Sequence, residues 1–289
     1  MYQLIKEDLS MAIISCDFIS KSLMRTVQIK AIVPTDKLKF GPDADKKETP
    51  KKYKTLYLLH GVFGNCVDWL SGTRIQRWAE AKDLIVIMPS GENKFYCDNP
   101  KSGDFFSKFI GEELLEFTRK TFPCSDKPED TFIAGLSMGG CGALTNGLKY
   151  SENFGCIASL SAALIIDDAV NSVYDDSGWN LHNRYYYESF FGPLENLKGS
   201  DKDYYTLADK LAKEGKKFPK IYMCCGTEDG LFTRNVEFKD HLIKLGADVT
   251  WEYGAGNHDW DFWDTYIQKV LAWLPLDNDS VGINSGNVD

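Results

Sequence analysis

The chain has 289 residues, 43% of them hydrophobic and 26% charged, a composition that fits a globular protein with ample length for a buried core. Acidic residues outnumber basic ones by 42 to 33, and the net charge of −9 argues against nucleic acid or an anionic membrane as the main partner. No apolar run is long enough to cross a bilayer, which takes about 20 residues.

The N-terminus carries Lys6, Glu7 and Asp8, and the apolar stretch Met11 to Ile14 is too short for a secretion signal. A cytoplasmic location is the expectation. Two β-like runs follow, Ala12–Asp17 and Thr26–Val33, with no helix between them, so they are expected to pair antiparallel. A Pro-rich loop, Pro42 to Pro50, with Lys46-Lys47 and Lys51-Lys52 around it, reads as a solvated connection.

Strand–helix alternation begins at Leu56. Strand Leu56–Leu59 leads to a helix near Arg74–Ala81, and strand Leu84–Met88 to a helix near Phe105–Thr121. Between the first strand and its helix lies His60-Gly61-Val62-Phe63-Gly64-Asn65. Its glycines let backbone N–H groups turn inward, with Val62 or Phe63 as a candidate anion donor.

Thr131-Phe132-Ile133-Ala134 is an apolar strand that runs straight into Gly135-Leu136-Ser137-Met138-Gly139, and a small-residue helical run follows. A serine at the apex of so sharp a turn sits in a strained backbone, and only small residues fit two positions either side. The turn lifts the hydroxyl clear of the sheet and aims the Met138 N–H at the place where an oxyanion would form. A serine hydroxyl is a weak nucleophile. It needs a base, and the base needs a group that fixes its tautomer.

Strand Gly155–Leu160 enters an insert from about Ala163 to Lys213, rich in rings: Tyr174, Trp179, Tyr185, Tyr186, Tyr187, Phe190 and Phe191. It reads as a small cap, with Leu207, Ala208 and Leu211 on a short amphipathic helix returning to the sheet. Strand Ile221–Cys225 is followed by Gly226-Thr227-Glu228-Asp229-Gly230 and a helix near Thr233–Leu245. Asp229 is the candidate acid, with Glu228 as its rival. Strand Val249–Tyr253 ends in Gly254-Ala255-Gly256-Asn257-His258, before a last helix marked by Trp260, Trp263, Ile267, Val270 and Leu271. Of the four histidines, His258 alone sits on a Gly-rich loop after the last strand, where the base belongs. His241 falls on a charged helical stretch, His182 in the insert, and His60 before the serine.

Strand–helix alternation with apolar strands means a mostly parallel sheet covered on both faces. The motifs span the whole chain, so one domain, 1–289, is expected. The eight cysteines are scattered without a C-x-x-C pair and read as reduced thiols packed as small hydrophobes.

Together these residues resemble the esterase D / putative esterase family of α/β-hydrolases. The matches are Leu58-Leu59-His60-Gly61, Ile85 to Pro89, Phe132 to Gly140, Gly226-Thr227-Glu228-Asp229 and His258-Asp259-Trp260. The resemblance runs from about Ala12 to Pro275 and leans to the tributyrin-type branch, where Asn93 to Asp98 has a counterpart beside the active site. Met1 to Ser10 and Leu276 to Asp289 fall outside it and are expected to be flexible ends.

What the resemblance implies is an α/β-hydrolase fold and a serine carboxylesterase with no cofactor and no metal. Ser137, Asp229 and His258 would form its triad, and Met138 and Val62 (or Phe63) its oxyanion hole. The candidate pocket residues are Phe63, Trp69, Tyr96, Asp98, Trp179 and Trp260. The expected partner is a small short-chain ester. Feruloyl or acetyl-xylan esterase, S-formylglutathione hydrolase-like thioesterase, and a non-catalytic binding protein on the same fold are the alternatives. Acyl and alcohol specificity stay open, as does the oligomeric state, a homo-oligomer included.

Overall fold

A computed structural model describes residues 12–34, 51–178 and 180–276. The loop expected at 42–50, the ends expected to be flexible (Leu276 excepted) and Trp179 lie outside the described residues.

Strands β1 (Ala12–Ser20) and β2 (Arg25–Val33) form the expected antiparallel pair, longer at the turn than the sequence indicates. β3 (Thr55–Leu59) is followed by the short α1 (Asp68–Gly72) and α2 (Ile75–Ala81), then β4 (Ile85–Pro89). A small hairpin of β5 (Asp98–Asn99) and β6 (Asp104–Phe105) comes next. The helix expected near 105–121 is three pieces: α3 (Phe106–Lys108), a π-helical turn Phe109–Glu113, and α4 (Leu114–Thr121). β7 (Thr131–Leu136), α5 (Met138–Lys149) and β8 (Cys156–Leu160) follow. The insert folds as α6 (Ile166–Asn171), α7 (Arg184–Phe191) and α8 (Tyr204–Lys213). The chain then runs through β9 (Lys220–Gly226), α9 (Phe232–Lys244), β10 (Val249–Gly254) and α10 (Trp260–Trp273).

Eight strands form the main sheet in the order β1-β2-β4-β3-β7-β8-β9-β10. β2 is antiparallel to both β1 and β4, and every other pair is parallel. This is the α/β-hydrolase fold.

Alternation along each strand divides the core in two. Ile85 and Ile87 of β4, with Tyr57, Ile133 and Met223, face the side covered by α4, α5, the insert and α9. Val86 and Met88, with Leu56, Phe132 and Tyr222, face α2 and α10. Both faces are dry, so β3, β4, β7 and β8 read as unbroken apolar runs. β1 lies at the sheet edge, its residues alternating between half-buried and exposed over most of its length.

All eight cysteines are free thiols, and all but Cys16 are buried. No helix among the described residues is long and apolar enough to cross a membrane.

Because the central strands are parallel, the loops after β3, β4, β7, β9 and β10 leave the sheet at one edge. Ligand sites of open α/β sheets form at that edge.

Candidate active site

The turn between β7 and α5 is fixed by main-chain contacts. Ser137 has φ 54° and ψ −117°, a conformation an L-residue adopts only when its surroundings impose it. Its N–H donates to the Leu160 carbonyl at 2.9 Å, and its carbonyl accepts from the Cys141 and Ala163 N–H groups at 3.0 and 2.9 Å. The two glycines of the turn touch. A Cβ on Gly135 would lie 2.3 Å from the Gly139 carbonyl oxygen, and one on Gly139 would lie 2.4 Å from the Leu59 carbonyl oxygen.

The Ser137 hydroxyl is 2.9 Å from His258 Nε2, and His258 Nδ1 is 2.8 Å from Asp229 Oδ2. The three residues come from loops after β7, β9 and β10 and form one continuous hydrogen-bonded chain. The Asp229 side chain is 1% exposed and that of His258 34%, so the acid is shielded while the imidazole reaches solvent. Burial alone would raise the Asp229 pKa. Hydrogen bonds from His258, the Leu231 N–H and the Ser161 hydroxyl outweigh it, and the carboxyl lies below its ordinary value.

Asp229 and Glu228 occupy different places. Glu228 does not reach the imidazole. Its carboxylate accepts the Gly256 N–H, and its own N–H donates to the Gly256 carbonyl at 3.1 Å, so it ties the His258 loop to the β9 loop. That backbone hydrogen bond lowers its pKa.

The two candidate donors on the β3 loop differ as well. The Phe63 N–H donates to Asn93 Oδ1 at 2.7 Å, which removes it from the cavity's donors. Among the described residues the Val62 N–H has no acceptor. Met138 opens α5, so its N–H has no partner inside the helix.

Ser137 and His258 open into a cavity of about 370 Å³. Phe63 and Trp260 line it, as the sequence suggests. Trp69, Tyr96 and Asp98 do not. Trp69 is buried behind Trp260, edge-on at 5.7 Å, with its indole N–H on the Leu59 carbonyl. Asp98 accepts the Lys108 N–H and pairs with Lys149 at 3.3 Å. Tyr96 is fully buried, its hydroxyl donating to the His60 carbonyl at 3.0 Å. Its neighbour Phe95 lines the cavity instead. Both residues have positive φ, 50° and 54°.

The insert supplies one wall. Tyr186 and Tyr187 line the cavity, whereas Phe190 and Phe191 pack on Phe95 beneath it. Tyr174 and Tyr185 are exposed and lie against each other. His182 also lines the cavity, a placement its position in the insert did not indicate.

Other lining residues carried no signal in the sequence. Arg234 of α9 and Asp168 of α6 form a two-pronged ion pair on the wall. Trp263 lies edge-on to the His258 ring at 4.9 Å and donates its indole N–H to Ser161, the same serine that holds Asp229. No group of three or more metal-ligating side chains occurs among the described residues.

The chain matches the family described as "Putative esterase" over residues 42–274. It is 46% identical over 267 residues to an acetyl esterase of Caldicellulosiruptor saccharolyticus, covering 91% of this chain and 98% of that protein. Among solved structures, it resembles a substrate-bound fluorophosphonate-binding serine hydrolase of Staphylococcus aureus. The TM-score is 0.79, with 31% identity over 91% of this chain and 98% of the other. An S-formylglutathione hydrolase of the same organism matches with a TM-score of 0.78 and 31% identity, covering 92% of this chain and 99% of the other.

Proposed function

The chain belongs to the putative esterase family and is a carboxylic ester hydrolase; on that premise we propose that it cleaves short-chain acyl esters through Ser137, His258 and Asp229. The observation that carries this reading is the hydrogen-bonded chain from Asp229 through His258 to Ser137.

Ser137 Oγ attacks the ester carbonyl carbon as His258 Nε2 takes its proton. Asp229 accepts the His258 Nδ1–H, which leaves Nε2 as the base and stabilises the imidazolium that forms. The carbonyl oxygen becomes an oxyanion and is met by the Met138 and Val62 N–H groups. Collapse breaks the bond to the alcohol, which leaves with the proton from His258. Water, deprotonated by His258, then attacks the acyl-serine and releases the acid.

The short-chain preference is supported by the acetyl esterase relative. The likeness to an S-formylglutathione hydrolase supports a second reading, hydrolysis of a small acyl thioester by the same residues.

The test is a panel of p-nitrophenyl esters from acetate to octanoate, beside methyl ferulate and S-formylglutathione. The proposal expects the acetate-to-butyrate esters to give the highest kcat/KM. A maximum on S-formylglutathione would move the assignment to the thioester. No turnover of any member would overturn it.

A further inference from the structure

We propose that Asn93, on the loop after β4, is a positioning residue that fixes the oxyanion loop after β3 so that the Val62 N–H, and not that of Phe63, faces the reacting carbonyl. The inference rests on the serine-esterase reading above and extends it to a residue that does not touch substrate.

Val62 sits between two peptide planes, and each is held. The first is Gly61–Val62. His60 Nε2 lies 2.8 Å from the Gly91 N–H, which can only donate, so Nε2 is the accepting nitrogen and Nδ1 carries the proton. That Nδ1–H meets the Gly61 carbonyl at 2.7 Å, and the Gly64 N–H reaches the same oxygen at 3.2 Å. In a planar trans peptide the carbonyl and the next N–H point in opposite directions. Holding the Gly61 oxygen therefore aims the Val62 N–H the other way. His60 is buried, and desolvation lowers its pKa, which keeps the neutral, singly protonated ring this pattern needs.

The second plane is Val62–Phe63, and Asn93 holds it. Its side-chain oxygen accepts the Phe63 N–H at 2.7 Å. Phe63 has φ 68°, in the left-handed region that a bulky side chain rarely enters, and the residue is 65% exposed. The hydrogen bond to Asn93 restrains that conformation. Without it the Phe63 backbone is free to relax, and the Val62–Phe63 plane turns with it. The β4 loop makes further contacts with the same region. Ser90 Oγ accepts the Cys66 N–H at 3.2 Å, and Tyr96 holds the His60 carbonyl. The loop after β4 thus acts as a template for the loop after β3.

The experiment compares Asn93→Ala and Asn93→Asp with the wild-type chain on p-nitrophenyl acetate, with thermal unfolding of each. Asn93 is only half-buried, so truncation removes little packing. Outright loss of one oxyanion donor costs about 10²–10³ in kcat, and loosening it costs less. Asn93→Ala is therefore expected to lower kcat about tenfold, with KM and the unfolding midpoint close to wild type. Asn93→Asp keeps the oxygen acceptor and is expected to recover most of that loss. The inference is overturned if Asn93→Ala keeps wild-type kcat, if its loss lies in KM alone, or if Asn93→Asp falls as far as alanine. Loss of the serine-esterase reading would look different: a wild-type chain inert on every ester, or a Ser137→Ala variant that still turns over.

Discussion

The Ser137 turn and the insert over 163–213 face the same cavity but are held there by different means. From Thr131 to Leu148 every residue is buried, and the turn is fixed by main-chain hydrogen bonds and by glycines in van der Waals contact. The insert is held largely by side chains. Lys149 reaches from the end of α5 to Asp98 and to Asp201 of the insert, Arg184 pairs with Glu188 and Glu195, and Arg234 pairs with Asp168. Phe190 stacks on Phe95 at 4.5 Å, and the Asn99 amide holds the Ser189 carbonyl at 3.2 Å. A site fixed by backbone leaves few substitutions that preserve it. A wall fixed by side chains can be altered one contact at a time. Chemistry should therefore break sharply in the first region, and specificity should shift gradually in the second.

The sharpest break is expected at Ser137, the proposed nucleophile. Ser137→Ala should lower kcat by about 10⁶, the typical cost of a lost triad serine. The side chain is small and makes its hydrogen bond to His258 alone, so the fold should survive. Ester hydrolysis at more than a few per cent of wild type, at an unchanged melting temperature, would remove the serine from the mechanism.

Next comes Asp229, the proposed acid of the triad. Asp229→Asn should cost about 10⁴ in kcat, because an amide no longer holds the productive tautomer of His258. Glu228→Gln should cost far less, since the Glu228 carboxylate meets the Gly256 N–H and not the imidazole. If the two rank the other way, the assignment of the acid falls. Stability gives an independent check. The folded-state pKa of Asp229 is depressed below its ordinary value. Its contribution is therefore full above the unfolded-state pKa of about 3.9 and is lost as pH falls through the folded value. The melting-temperature gap between wild type and Asp229→Asn should be widest at neutral pH and should close in that acid range.

What the sequence made legible follows the same division. The apolar run that begins at Thr131 is β7, which continues to Leu136, and the strands and helices from Ile221 onward fall within a residue or two of their expected bounds. Those segments are apolar on both faces or strongly periodic, so local pattern and tertiary role agree. The insert was legible only as a ring-rich cap with one returning helix. Which rings would line the cavity depends on how α6 and α7 dock, and that is decided by long-range pairs such as Asp168 with Arg234, 66 residues apart. Tyr96 is buried and Phe95 lines the cavity on two successive left-handed residues, a backbone that the residue pattern does not reveal. The choice between Val62 and Phe63 was open for a related reason. It turns on a hydrogen bond from the Phe63 N–H to Asn93, 30 residues downstream.

A smaller effect is expected along the acyl chain. Each buried methylene is worth about 0.8 kcal/mol while it still fits. On the proposed reading the gain stops where the chain meets the wall lined by Tyr186, Tyr187 and the Asp168–Arg234 pair. Acetate to butyrate esters should therefore be cleaved faster than octanoate. A steady rise in kcat/KM to octanoate would mean that the insert yields to the substrate and is not a wall.

The smallest effect should come from the ion pair itself. Arg234→Met keeps most of the side-chain stem and removes the charge, leaving Asp168 without its partner on the cavity wall. Both side chains are about one-third exposed, so solvent screens the pair and the stability cost should be small, about 0.2–1 kcal/mol. Neither residue touches Ser137, His258 or Asp229 through a hydrogen bond. Turnover of p-nitrophenyl acetate should therefore stay within about threefold of wild type, because no interaction made only in the transition state is lost. The ratio between acetate and octanoate should change instead. With the two-pronged bond gone, α6 is tethered to α9 by one contact fewer, and an apolar methionine replaces a guanidinium where a longer chain would end. Discrimination against octanoate should narrow by a few-fold, the order expected for one or two extra methylenes accommodated. A hundredfold loss on acetate would place Arg234 with the elbow, and the contrast between a backbone-fixed site and a side-chain-fixed wall would fail. An unchanged ratio would show that the acyl chain ends elsewhere, leaving Tyr186 and Tyr187 as the stop.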